Sequence, residues 1–344
     1  MRTCGPCASP GTLTDPWDQV TGFPPLCRAA RAAAHGKRLQ PDAQAFLVDL
    51  EPNVFRLQEQ LQQGTWRPGP LRSFRIRDPK PRLISAAPFV DRVVHHAVCT
   101  AIGPILEADA SDHSFACRTG RGTHAALRRA HMLTAQFPCY YKLDIRHYFE
   151  TIDHASILNC LGKYVADGAV LDVLGHIVAA GAPGSEPGRG MPIGNLTSQY
   201  FANLVLGEVD AAVADLPALG GYVRYMDDML FFGESHAVVR AAALIAETVA
   251  EATLRLAIKR EATRHGQATD GVPFLGMRLF PTATRLDAAR RRRLVRKLRT
   301  CNGSATCSTA DAALAARQAE SLIAWAHCAD TTALRRVAAN PRRQ

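Results

Sequence analysis

The first strong pattern along the chain is helical. Leu26, Ala29, Ala30 and Ala33 recur at three- and four-residue steps, and Phe46, Leu47, Leu50, Val54, Leu57 and Leu61 continue the rhythm. Apolar residues at that spacing line one face of a helix, so residues 26–63 are predicted helical. Over residues 71–85 the rhythm changes to alternation. Phe74 and Ile76 stand between Arg72, Arg75 and Arg77, and the chain turns at Asp78-Pro79-Lys80-Pro81. That combination predicts a basic hairpin. Residues 89–106 return to helical spacing. Residues 139–143 form a short apolar run ending at Asp144, and Asp153 is placed to cap a helix over residues 155–164. Four Gly and two Pro within residues 181–190 require a loop. A long helix over residues 196–213 follows it. Two strand-like runs, 222–225 and 229–232, flank Asp227-Asp228. A helix over 236–256, a strand or hairpin over 273–280 and a basic helical stretch from Asp287 onward complete the prediction.

Composition narrows the class. The chain has 344 residues, 47% hydrophobic and 21% charged, enough to bury a sizeable core and too little charge for global disorder. Its 41 Lys+Arg against 31 Asp+Glu give a net charge of +10, which favours a polyanionic partner. Only six of those basic residues are Lys, and an Arg bias suits bidentate contacts to phosphate. A G+C-rich genome is the bland explanation of the same bias. The longest apolar stretch, residues 241–258, is interrupted by Glu247, Glu251 and Arg255, so no membrane partner is expected. Residues 1–10 contain no apolar signal core. A cytoplasmic chain with its ten Cys reduced is the expectation. Cys4-Gly5-Pro6-Cys7 has the spacing of a redox dithiol but no preceding strand, and reads as part of a flexible leader over residues 1–20.

The candidate chemistry begins at Tyr225-Met226-Asp227-Asp228. Two adjacent carboxylates in a tight turn between apolar strands repel each other unless a cation is present. Asp144 closes another strand-like run, Tyr140-Tyr141-Lys142-Leu143. If those strands share one sheet, three carboxylates converge. Such a set can hold two divalent ions about 3.5–4 Å apart around an in-line phosphoryl displacement. Residues 285–299 add eight basic side chains against the single acid Asp287, with Leu294, Val295 and Leu298 as an apolar stripe. That is the pattern of a helix lying along nucleic-acid phosphates.

Tyr141-Lys142-Leu143-Asp144-Ile145-Arg146-His147-Tyr148-Phe149 and Tyr225-Met226-Asp227-Asp228 resemble motifs A and C of reverse transcriptases. Asp78 to Ser85 with Asp91-Arg92, and Ser114 to Arg118 with Gly122-Thr123-His124, resemble the two fingers motifs. Phe274-Leu275-Gly276 resembles the primer grip. Together these motifs cover most of the chain. Motif B narrows the resemblance further. Ile193-Gly194-Asn195-Leu196-Thr197-Ser198-Gln199 carries Ile where most reverse transcriptases carry Gln, and Gln where they carry Pro. That form is similar to reverse transcriptases of diversity-generating retroelements, as are His35 to Arg38 and residues 324–332. Such enzymes copy a template-repeat RNA into cDNA mutagenised at adenines.

The resemblance implies an α+β right-hand polymerase with fingers, palm and thumb, its antiparallel palm sheet backed by helices. The implied division is N-terminal helices and fingers over 21–138, palm over 139–160, an insertion over 161–189, palm again over 190–283, and a basic thumb over 284–344. It implies two Mg²⁺ ions, replaceable by Mn²⁺, on Asp144, Asp227, Asp228 and the main chain of Ile145. It places Lys80, Arg82, Phe149, Ile193, Gly194 and Gln199 around a dNTP, with Phe149 excluding a 2′-hydroxyl. Arg118, Asn195, Phe274, Leu275, Gly276, Arg291, Arg292 and Arg296 are implied at the RNA template and the DNA or RNA primer. Lys259 is the candidate motif D acid, although the best alignment of this segment puts Ala262 there. A small basic accessory variability protein is the implied partner. Ile193 cannot make the polar contact of the usual Gln, which predicts low fidelity. The rival readings are a retron, group II intron or phage-defence reverse transcriptase, and an inactive palm that only binds RNA. No RNase H domain is expected after the thumb.

Overall fold

The computed structural model describes residues 16–77, 81–303, 320, 323, 326–332 and 334, with the side chains of 77 and 297–303 outside that description. Helices come first: α1 (Pro16–Thr21), α2 (Phe23–Ala33), α3 (Pro41–Val48) and α4 (Leu50–Gln62). The stretch read as a leader therefore turns helical at Pro16, and Val20 and Thr21 at the end of α1 are buried. The basic alternation becomes the antiparallel hairpin β1 (Arg72–Arg77) and β2 (Pro81–Ala86), and α5 (Phe89–Ala108) follows. Next are α6 (Thr123–Gln136), β3 (Cys139–Leu143), the single turn α7 (Tyr148–Thr151) and α8 (His154–Gly162). Asp153 caps α8 as its sequence predicts, accepting a bond from Ser156 N. The chain continues through α9 (Gly168–Ala179), the Gly-rich loop and α10 (Leu196–Ala214). After it come β4 (Gly221–Tyr225), β5 (Asp228–Gly233), α11 (His236–Thr248), β6 (Arg264–Gln267), β7 (Val272–Phe274), β8 (Met277–Phe280), β9 (Ala283–Leu286) and α12 (Ala288–Gly303).

The helix predicted over residues 236–256 ends early. After Thr248 one π-helical turn, Val249–Thr253, replaces the α spacing, and Arg255 takes a left-handed φ of 55° that no helix can continue through. Residues 273–280 form the hairpin β7–β8, and β9 extends it to three strands.

Two compact units divide these elements. One comprises Met1–Cys117, Ile145–Ala212 and Ala246–Ile258; the other comprises Arg118–Asp144, Val213–Ile245 and Lys259–Gln344. In the first, α2 packs on α5 through Leu26, Ala29, Ala30 and Ala33, all buried. Small residues on α2 let the two helices approach closely, and the same unit carries the β1–β2 hairpin. In the second, an antiparallel sheet has the order β4-β5-β3-β6, and α6 packs against it. Strand β5 is central, so Met229, Leu230, Phe231 and Phe232 are buried on both faces, which explains their unbroken apolar run. The three-stranded sheet β7-β8-β9 belongs to this second unit as well.

Candidate active site

The site sits at one end of the β4-β5-β3-β6 sheet. Strands β4 and β5 are joined by the two residues Met226 and Asp227, with Tyr225 paired to Asp228. Met226 takes φ 54°, a conformation usually left to Gly at the first position of a two-residue hairpin turn. The β4–β5 pairing sustains this conformation and places Asp227 at the tip of the turn and Asp228 at the start of β5. Strand β3 supplies the third acid. Leu143 pairs with Met229, so Asp144, one residue beyond Leu143, falls opposite Asp228, one residue before Met229. Strands β3, β4 and β5 are neighbours in one sheet, so Asp144, Asp227 and Asp228 share one end of it. Tyr225 is tied down by Thr123 at the start of α6, whose Oγ1 donates to the phenol oxygen at 3.0 Å.

Two lysines stand among the acids. Lys142 Nζ donates to Asp228 Oδ2 at 2.9 Å and lies 2.9 Å from Oδ1. Lys259 Nζ lies 4.0 Å from Asp144 Oδ1, and its main-chain N–H donates to the Asp144 carbonyl at 2.8 Å. Burial, and secondarily the charge of Asp144, push the Asp228 carboxyl up to about 6, while Lys142 and Lys259 pull it the other way. Asp228 Oδ1 is buried, with the Lys142 ammonium beside it but not in hydrogen-bond geometry. A hard divalent ion would give it a directed partner, and the carboxylate oxygens are the donor type that magnesium takes. The residues therefore fit such an ion. Among the described residues no three His, Cys, Asp or Glu side chains already form a ligand cluster.

The first unit holds the other candidates. Arg82 is exposed on β2, and Lys80 lies outside the described residues. Half-buried Phe149, in α7, meets the Tyr148 ring edge-on with centroids 5.7 Å apart. Ile145 is buried and bridges to Ile258. The motif B loop is stitched to the hairpin: Ser85 N donates to Ile193 O at 2.9 Å, and Ala87 N donates to Asn195 Oδ1 at 3.3 Å. Asn195 is buried by this contact, so its side chain serves the loop rather than the surface. Gln199 is half-buried on α10.

In the second unit, Leu275 and Gly276 form the β7–β8 turn with φ of 46° and 77°, and Arg290 Nη1 donates to the Leu275 carbonyl at 2.8 Å. Phe274 is buried, leaving the turn itself as the part of that motif at the surface. Arg118 is half-buried; Arg291, Arg292 and Arg296 are exposed on α12. The residue that the sequence reading passed over is Lys142. Its signal was present, two residues before Asp144 on the same strand and hence on the same face. Its carboxylate partner is visible only once the strand register is known.

Residues 76–279, more than half of the chain, match the family described as reverse transcriptase (RNA-dependent DNA polymerase). The chain belongs to that family, and its fold is the α+β right-hand polymerase fold. It is 24% identical over 272 residues to protein YkfC of Escherichia coli (strain K12), covering 67% of this chain and 71% of YkfC. It is 25% identical over 173 residues to the group II intron-encoded protein LtrA of Lactococcus lactis subsp. cremoris. That match covers 48% of this chain but only 29% of LtrA. Among solved structures, a telomerase from Candida albicans in complex with a fragment of telomeric RNA is similar at a TM-score of 0.48 and 11% identity. The similarity covers 77% of this chain and 54% of the telomerase chain. Among the described residues no helix is long and apolar enough to cross a membrane.

Proposed function

We propose that this chain extends a primer 3′-end with deoxynucleotides on an RNA template, as the polymerase of a diversity-generating retroelement. The observation that carries the polymerase reading is the meeting of Asp144, Asp227 and Asp228 at one end of an antiparallel sheet. These three residues would hold two magnesium ions, with the Ile145 main chain as a further donor. When bound, the ions supply charge neutralisation on the triphosphate and acidify the attacking hydroxyl. The chain's own residues do the rest. Arg82 and Lys80 grip the triphosphate, and bidentate contact suits the guanidinium. Phe149 selects against a 2′-hydroxyl, and Gly194 and Gln199 flank the incoming base. Lys259 is the proton donor to the departing pyrophosphate. The exposed arginines of α12 follow the template–primer backbone.

The diversity-generating assignment rests on Ile193 and Gln199 in motif B. An apolar Ile193 withholds a polar contact that would tighten only around a correct pair, so discrimination falls. A small basic accessory variability protein would deliver the template RNA. Similarity to LtrA favours a second reading, a group II intron type of reverse transcriptase, in which extension is accurate.

Primer extension on a defined RNA with Mg²⁺ and dNTPs tests both. Asp227→Asn is expected to lower extension at least about a thousandfold. Errors are expected to concentrate opposite template adenine and to fall in Ile193→Gln. Accurate extension by the unmodified chain would assign it to the intron-like group. RNA binding without incorporation, whatever the metal or accessory protein, would leave only an inactive palm.

A further inference from the structure

Side chains on a strand alternate between faces, so Lys142 and Asp144 project from the same side of β3. The register sets what they meet on β5. Lys142 pairs with Leu230, and Asp228 lies two residues before Leu230. Lys142 and Asp228 are therefore diagonal neighbours on one face, within reach of a long side chain. The contact is tight and sheltered. Nζ is 2.9 Å from either carboxylate oxygen, and the two side chains are only 13% and 18% exposed. The Lys259–Asp144 contact is looser, at 4.0 Å and with Lys259 32% exposed. Of the two ammoniums beside Asp228 and Asp144, Lys142 is the closer and better shielded. A divalent ion entering the cluster meets that ammonium a few ångströms away, where screening by salt is weak.

We propose that Lys142 is a positioning residue with a second effect: it anchors Asp228 and, as a built-in counter-ion, weakens the cluster's uptake of divalent ions. This rests on the reading of Asp144, Asp227 and Asp228 as the divalent-ion site. Lys142 thereby sets how much magnesium the reaction needs. Neutralising it keeps all three carboxylates in the chain, frees Asp228 from its ammonium and removes one opposing charge, so the cluster takes up an ion more readily.

The experiment is a Mn²⁺ titration of the full chain, read by electron paramagnetic resonance, with folding of each variant checked by circular dichroism. Lys142→Met is expected to bind Mn²⁺ at least about tenfold more tightly than the unmodified chain, the order set by one unit charge a few ångströms from a divalent ion even at the dielectric constant of water. Lys142→Arg is expected to keep the original affinity. Lys142→Gln keeps a donor for Asp228 and decides the matter if Lys142→Met does not fold. In primer extension, the Mg²⁺ concentration for half-maximal rate should fall by a similar factor, while kcat at saturating Mg²⁺ changes less. Unchanged or weaker Mn²⁺ affinity in both neutral variants, with Asp227→Asn still abolishing binding, overturns the counter-ion role and leaves the polymerase reading standing. Absence of Mn²⁺ binding in the unmodified chain and in every variant overturns both.

Discussion

His95 is only 4% exposed, on α5, and shares a small cavity with Asp91, Asn195, Thr197 and Ser198. Its Nδ1 is buried and has no hydrogen-bond partner. Burial, and then the nearby positive charges of His96 and Arg92, hold its pKa down at about 4, against an ordinary 6.5. Folding therefore favours the neutral ring. As pH falls through 6.5 the unfolded chain takes up this proton and the folded chain does not, so stability contributed by His95 is lost between about pH 6.5 and pH 4. A gap of this width corresponds to roughly 3 kcal/mol at most. Urea denaturation of the unmodified chain and of His95→Gln at pH 7 and pH 4.5 measures it. The stability difference should move by about 2–3 kcal/mol in the variant's favour at the lower pH. A pH-independent difference would mean that the ring is protonated in the folded state after all. The effect was hidden in the sequence, where His95 sits unremarked in an apolar helical pattern; only the packing around α5 buries it.

At the scale of elements, the loop before α10 depends on having no side chain at Gly194. Its φ is 117°, and a Cβ there would stand 2.9 Å from Ile84 Cγ2 on β2. Gly194→Ala should destabilise the protein by about 1–3 kcal/mol through backbone strain and overlap together. Adding Ile84→Ala should recover the overlap but not the strain, so the double variant should melt above the sum of the two separate losses. Strictly additive melting temperatures would place the cost in the backbone alone. Elements of this kind divide into those legible from sequence and those not. Strand β3 and the capped α8 were legible because pattern and local chemistry agree. Strand β6 was not: Arg264-His265-Gly266-Gln267 has no apolar alternation and is a strand because β3 pairs with it, with His265 stacked on Tyr141 at 5.5 Å. The end of α11 was misplaced because the apolar spacing runs on past the π-helical turn, and Arg255 gives no local signal for a positive φ. The carboxylates of the site were legible as three acids at strand ends. Their lysine partner was not, because a diagonal contact is set by register.

For the whole molecule the question is whether the charge of +10 does anything specific. Arg-rich composition alone predicts a diffuse effect. Every basic residue would contribute a little to nucleic-acid affinity, and removing three would matter no more than their number suggests. The thumb reading predicts something sharper. Arg291, Arg292 and Arg296 are exposed on one helix, α12, and Arg291 is anchored through its main-chain bond to Asp287. If these arginines contact phosphates of a bound duplex, each displaces about one counterion. The slope of log affinity against log salt then loses about 0.9 per arginine removed. Replacing all three with Ala should flatten the slope by about 2–3 and weaken binding most at low salt, across template sequences alike. A control replacing three exposed arginines of the other unit that lie outside the proposed site, such as Arg28, Arg31 and Arg67, should leave the slope nearly unchanged. Equal slopes for the two triple variants would return the arginine excess to composition. A slope change confined to α12 would make the basic helix a phosphate contact, and the polarity of the chain's charge a property of its function rather than of its genome.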